Sequence, residues 1–73
     1  MKTSEFIRKV EMLGVTTVEK DKTTLHIKRH GIEAANVSLE KTSYFQICGK
    51  LPRRLLNLIV DYAVTDVSER DDD

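Results

Sequence analysis

Two histidines and a single cysteine, His26, His30 and Cys48, are the side chains of this sequence best suited to metal or nucleophile chemistry. A structural zinc site needs four ligands at roughly 2.0–2.3 Å from one point. His26 and His30 stand four residues apart in a stretch that reads as extended, which separates them by roughly 13 Å at about 3.3 Å per residue. Cys48 falls on a strand two places away in the same sheet, roughly 10 Å off. A shared ion and a Cys–His nucleophile pair are both incompatible with those separations. Gly14, Gly31 and Gly49 are isolated and form no phosphate-cradling loop. The carboxylates concentrate near the C-terminal end, where nothing holds a pair for acid–base work. The expectation is a protein with no catalytic residue, no metal site and no cofactor: a binding protein, not an enzyme.

Charge gives the candidate binding residues. The formal net charge is zero, but residues 1–60 carry eleven Lys/Arg against six Asp/Glu, and residues 61–73 carry Arg70 against six acids. A basic body thus precedes an acidic end. Asp66, Glu69, Asp71, Asp72 and Asp73 can imitate nucleic-acid phosphates and occupy a basic groove on another protein. On the body, Lys28, Arg29, Lys41, Lys50, Arg53 and Arg54 form the basic set. The last three cluster where a helix starts, and the free amides of a helix N-terminus favour anions. Tyr44 adds one aromatic ring able to stack on a base, whereas sheet-based RNA binders usually present two or three.

Period and punctuation define the elements that hold these residues. Phe6, Ile7, Val10 and Leu13 recur at helical spacing, with Thr3 and Ser4 as caps and Gly14 as a stop, so a helix is expected from about Ser4 to Leu13. From Val15 the period becomes two. Thr16–Val18 and Thr24–Ile27 read as strands around a Lys20-Asp21-Lys22 loop, His30-Gly31 marks a second turn, and Ile32–Leu39 and Tyr44–Cys48 give two more strands. Pro52 suits the first turn of a helix running to Val64. The expected fold is α+β: a helix, an antiparallel meander of three or four strands, and a second helix. Residues 1–64 form one domain and 65–73 an acidic, flexible tail.

Strand alternation then assigns the faces. Leu25, Ile27, Ala35, Val37, Leu39, Phe45 and Ile47 point to one side, covered by Phe6, Val10 and Leu13 from the first helix and Leu55, Ile59 and Tyr62 from the second. The opposite face shows His26, Lys28, His30, Asn36, Ser38, Tyr44 and Gln46. Lys28 and Tyr44 on that face, or the acids of the tail, are the expected contact residues for a partner. A chain of 73 residues buries a small core, so binding a partner or a second copy is an ordinary way to gain stability. The lone cysteine, the lack of an apolar leader and the charges inside Leu51–Val64 point to a cytoplasmic protein that no membrane holds.

The segments "MKTSEFIRKVEMLG" and "LLNLIVDYAVTDVSER" resemble the two ends of a family of small early-region phage and prophage proteins. Its first helix follows the pattern EFIxKVExLG, matched by Phe6, Ile7, Val10 and Gly14. Its last follows LxxLIxEYAxTPxEER, matched by Leu58, Ile59, Tyr62, Ala63, Thr65, Glu69 and Arg70. Asp66 stands where that pattern has proline. The resemblance implies a helix–meander–helix fold and an origin in phage. It implies a non-enzymatic protein that binds and inhibits a host factor, with an anti-CRISPR role against a Cas nuclease, by blocking its nucleic-acid channel, as the specific expectation. The alternative is a small nucleic-acid-binding accessory protein acting through Lys28, Arg29, Lys50, Arg53 and Arg54. A homodimer joined through an open sheet edge is a third reading.

Overall fold

A computed structural model describes residues 1–70 of the chain. Helix α1 spans Thr3–Glu11, strands β1 to β4 span Thr16–Lys20, Thr24–Arg29, Ile32–Ser38 and Phe45–Ile47, and helices α2 and α3 span Arg53–Val64 and Val67–Arg70. The strands form one antiparallel sheet in the order β1-β2-β3-β4, each paired with its sequence neighbour. This is the α+β architecture expected from the pattern, with the C-terminal helical region extended by one short helix.

Local chemistry explains most of the joints. Both central residues of the β2–β3 turn have positive φ, His30 at 55° and Gly31 at 78°. That two-residue turn follows the right-handed twist of the strands it joins, and Gly31 takes the second position without steric cost. Within α1, Glu5 and Lys9 pair across one turn at 3.0 Å, with the acid on the N-terminal side, as the helix dipole favours. The helix begins one residue earlier than expected, and neither Thr3 nor Ser4 is its N-cap, a position held by Lys2 with no side-chain cap bond. The Thr3 hydroxyl is engaged elsewhere: it lies 2.7 Å from the Tyr62 hydroxyl and donates to the Arg70 carbonyl.

The helices bury one side of the sheet. Phe6 and Val10 of α1 and Leu55, Ile59, Tyr62 and Ala63 of α2 share a core with Leu25, Ile27, Ala35 and Val37. Phe6 and Tyr62 stack with centroids 4.3 Å apart. Side chains of this kind stabilise by about 1.5–3 kcal/mol each when fully buried.

Two features depart from the expected pattern. The first is a β-bulge in β3. Ile27 pairs with Ala35, but Lys28 pairs with Glu33, which leaves Ala34 as the extra residue. In unbroken alternation Glu33 shares a face with Ala35 and points into the core. One extra residue reverses the alternation beyond it, so Glu33 joins the polar face instead.

The second departure is the segment after α2, expected as a free tail. Residues 65–70 are docked. Arg70 is only 2% exposed; its Nε donates to the Thr65 carbonyl at 2.9 Å, and its two terminal nitrogens donate to the Ser38 carbonyl at 2.7 Å and the Ala63 carbonyl at 2.8 Å. Its guanidinium carbon lies 4.6 Å from the Tyr62 ring centroid. The acidic composition of the segment concealed this one buried cation. Asp71, Asp72 and Asp73, expected as contact residues, lie outside the described residues.

Candidate functional site

The uncovered face of the sheet is an organised polar surface, and the bulge organises it. Glu33 accepts a hydrogen bond from Nδ1–H of His26 at 2.9 Å through one oxygen, and from the Asn36 amide at 3.0 Å through the other. The Asn36 bond is the main influence holding the Glu33 carboxyl below its ordinary pKa; the nearby positive charge of His26 and Lys28 acts in the same direction. Against the ionised Glu33, Nδ1 of His26 carries a proton, and Nε2 points toward Asp21, 3.9 Å away. One strand over, Lys28 pairs with Glu19 at 3.1 Å.

Glu19, Lys20, Asp21, His26, Lys28 and Glu33 together line a shallow depression of about 410 Å³. Three acids face two lysines and a histidine, so cations and carboxylates largely neutralise one another. A second, smaller hollow of about 180 Å³ lies farther along the same sheet, lined in part by Asn36, Ser38, Lys41 and Tyr44. Tyr44 is 63% exposed, and the Lys41 ammonium sits 5.4 Å from its ring centroid. That distance is within the range of a cation–π contact, which holds the phenol ready for a partner at little entropic cost.

The residues expected from sequence thus part company. Lys28 and Tyr44 do lie on the open face. Lys28 is an ion-pair member with 28% of its side chain exposed, not a bare cation. Asp66 is a structural cap: its carboxylate accepts the backbone N–H of Ser68 at 3.0 Å and the Ser68 hydroxyl at 2.9 Å, and these bonds hold its pKa below the ordinary value. Glu69 is exposed on α3, on a different element from Tyr44.

The basic set also divides. Arg29 is half-buried on the helix-covered side, with its Nε buried and unbonded. Lys50, Arg53 and Arg54 are exposed around the start of α2, where Pro52 supplies no side-chain cap. They do not join Lys28.

His26 was placed on the polar face by its sequence position, but its contact with Glu33 was not. One signal for it exists in the sequence. Glu33 followed by Ala34-Ala35 puts a carboxylate in phase with a core row, and a bulge is the usual way a strand relieves that conflict. The dyad is an oriented imidazole. Cys48, the exposed thiol, follows β4, which β3 separates from His26. Among the described residues no three His, Cys, Asp or Glu side chains are grouped so as to hold a metal ion. No described helix is long and apolar enough to cross a membrane.

These features define a small helix-backed sheet with one open, self-paired polar face. The chain matches no known family, no curated protein and no solved structure.

Proposed function

We propose that this chain is a non-enzymatic binding protein whose contact surface is the open polar face of the sheet, and that it acts as a phage-encoded inhibitor of a host factor, a CRISPR nuclease being the candidate target. The observation that carries the binding reading is the order within that face. Glu33 holds His26 and Asn36, Glu19 holds Lys28, and Lys41 accompanies the exposed Tyr44. Side chains already fixed in the free protein lose little entropy on binding, and an exposed tyrosine beside them is a typical anchor of protein interfaces. The balance of charge suits a protein surface better than a polyanion. The phage and inhibitor parts rest on the resemblance of the two helical segments to early phage proteins.

The test is retention of a host protein by the tagged chain from nuclease-treated and untreated lysates. The expected result is one host protein retained after nuclease treatment and lost from the Tyr44→Ala and Lys28→Glu variants. Retention unaffected by both substitutions removes the polar face from the mechanism. Exposed Lys50, Arg53 and Arg54 favour a second reading, nucleic-acid binding at the start of α2. It predicts recovery that vanishes with nuclease and an affinity that falls steeply with salt.

A further inference from the structure

The sheet has two open edges, β1 and β4, and they differ in kind. The β1 strand, Thr-Thr-Val-Glu-Lys, ends in the exposed charges Glu19 and Lys20. Charges on an edge strand discourage pairing with another chain. The β4 strand, Phe-Gln-Ile, has none. Its inward bonds are made by the Tyr44 carbonyl, which accepts from the Ser38 amide at 2.9 Å, and by the Cys48 amide, which donates to the Ala34 carbonyl at 2.8 Å. Antiparallel alternation therefore turns the N–H and C=O of Phe45 and Ile47 toward the open edge.

The flank of α2 above that edge is apolar. The Ser43 amide donates to the Ala63 carbonyl at 2.7 Å, so the chain enters β4 beside the C-terminal end of α2 and returns along it. On the helix, Leu58 lies toward α1, lining a groove with Lys9 and Met12. At about 100° per residue, Leu56 and Val60 fall on the opposite flank, over β4. Both are 37% exposed, Val64 farther round is 52% exposed, and Ile47, on the helix-covered side of β4, is 36% exposed.

We propose that this chain forms a two-fold dimer through the outer edge of β4 and the Leu56–Val60 flank of α2. A second copy is the occupant that fits, because the surface is self-complementary under a two-fold axis. Phe45 of one copy pairs with Ile47 of the other, the two sheets join into one of eight strands, and the apolar flanks of the two α2 helices meet antiparallel. That arrangement sets the basic start of α2, with Lys50 and Arg53, toward the acidic segment after α2 of the other copy, with Asp66 and Glu69. The dimer goes beyond the binding role proposed above and leaves both polar faces open on one side.

Sedimentation equilibrium on the full chain, from micromolar to millimolar concentration, should show a mass rising to twice 8.4 kDa. Val60→Glu should remain monomeric throughout with an unchanged far-ultraviolet circular dichroism spectrum. A Gln46→Cys, Cys48→Ser variant should form a dimer-linking disulfide on mild oxidation. Residue 46 lies on the two-fold axis in this register, in a non-hydrogen-bonded pair with Cα atoms about 4.5 Å apart, within disulfide reach. This crosslink decides the matter if the charge at position 60 unfolds the chain. A native chain that stays monomeric at every concentration overturns the proposal. So does a dimer in which the Gln46→Cys, Cys48→Ser variant forms no crosslink, since its contact then lies elsewhere.

Discussion

Replacing Arg70 with alanine tests whether the end of the chain is part of the fold. The native guanidinium donates to three main-chain carbonyls, of Thr65, Ser38 and Ala63, and covers the Tyr62 ring. These carbonyls belong to β3, to α2 and to the link after it, so one side chain ties three places together. Hydrogen bonds to a charged group contribute about 1.5–3 kcal/mol each. Against them stands the cost of removing the cation from water, several kcal/mol for a buried ion. The expected net loss is about 2–4 kcal/mol, with the part-buried Thr65 and Ser38 carbonyls regaining water more readily than the buried one of Ala63. Marginal stability of about 0.05–0.15 kcal/mol per residue gives a chain of this length roughly 4–11 kcal/mol in total.

The melting temperature should therefore fall by roughly 8–32 °C, at about 4–8 °C per kcal/mol for a domain of this size. Thermal and urea denaturation followed by circular dichroism measures this directly. Arg70→Lys keeps the charge, but a single ammonium lacks the planar fork that reaches three divergent carbonyls, so it should lose a large part of the same stability. A chain ended at Thr65 should behave like Arg70→Ala, and so serves poorly as a probe of acidic-tail electrostatics. An Arg70→Ala variant within about 0.5 kcal/mol of the native chain, the range of ordinary surface substitutions, would refute the docking of residues 65–70.

Two further outcomes follow from the geometry. Val15 has a φ of 42° and is 54% exposed; a β-branched residue in the left-handed region carries about 1–2 kcal/mol of strain, so Val15→Asn should raise the urea midpoint, and a lowered one would contradict the strain. The Glu33 carboxyl titrates below its ordinary value of 4.5, so its stabilising contribution is complete above that pH and is lost as pH falls through the folded value. Glu33→Gln should flatten this acid limb of the stability profile, and an unchanged limb would show that the His26–Asn36 contacts do not favour the ionised form.

Much of the fold was legible because its signals are local. Period three to four in Phe6, Val10, Leu55, Ile59 and Tyr62, and period two in Leu25, Ile27, Ala35 and Val37, mark elements whose apolar sides meet in the core. What was not legible depends on contacts distant in sequence. Arg70 reads as one cation among acids, and only folding brings the Ser38 carbonyl, 32 residues away, to its guanidinium. Thr3 reads as a cap, yet Tyr62, 59 residues on, claims its hydroxyl. Val15 reads as a strand residue, and its positive φ comes from the tight path between α1 and β1.

The polar face shows how a single backbone irregularity can change a functional reading. With unbroken alternation, Glu33 opposes the core, and Nδ1 of His26 and the Asn36 amide lose their shared acceptor on the open face. The bulge at Ala34 moves Glu33 across the sheet, and Glu19 on β1 takes up Lys28. The face that results carries nearly balanced charge and an aromatic ring held beside a lysine. Its ability to bind then depends on shape and on hydrogen bonds in fixed positions, with little long-range attraction for a polyanion. Net charge, and even the list of residues on each face, miss this distinction, because it rests on which residue in a strand is counted twice.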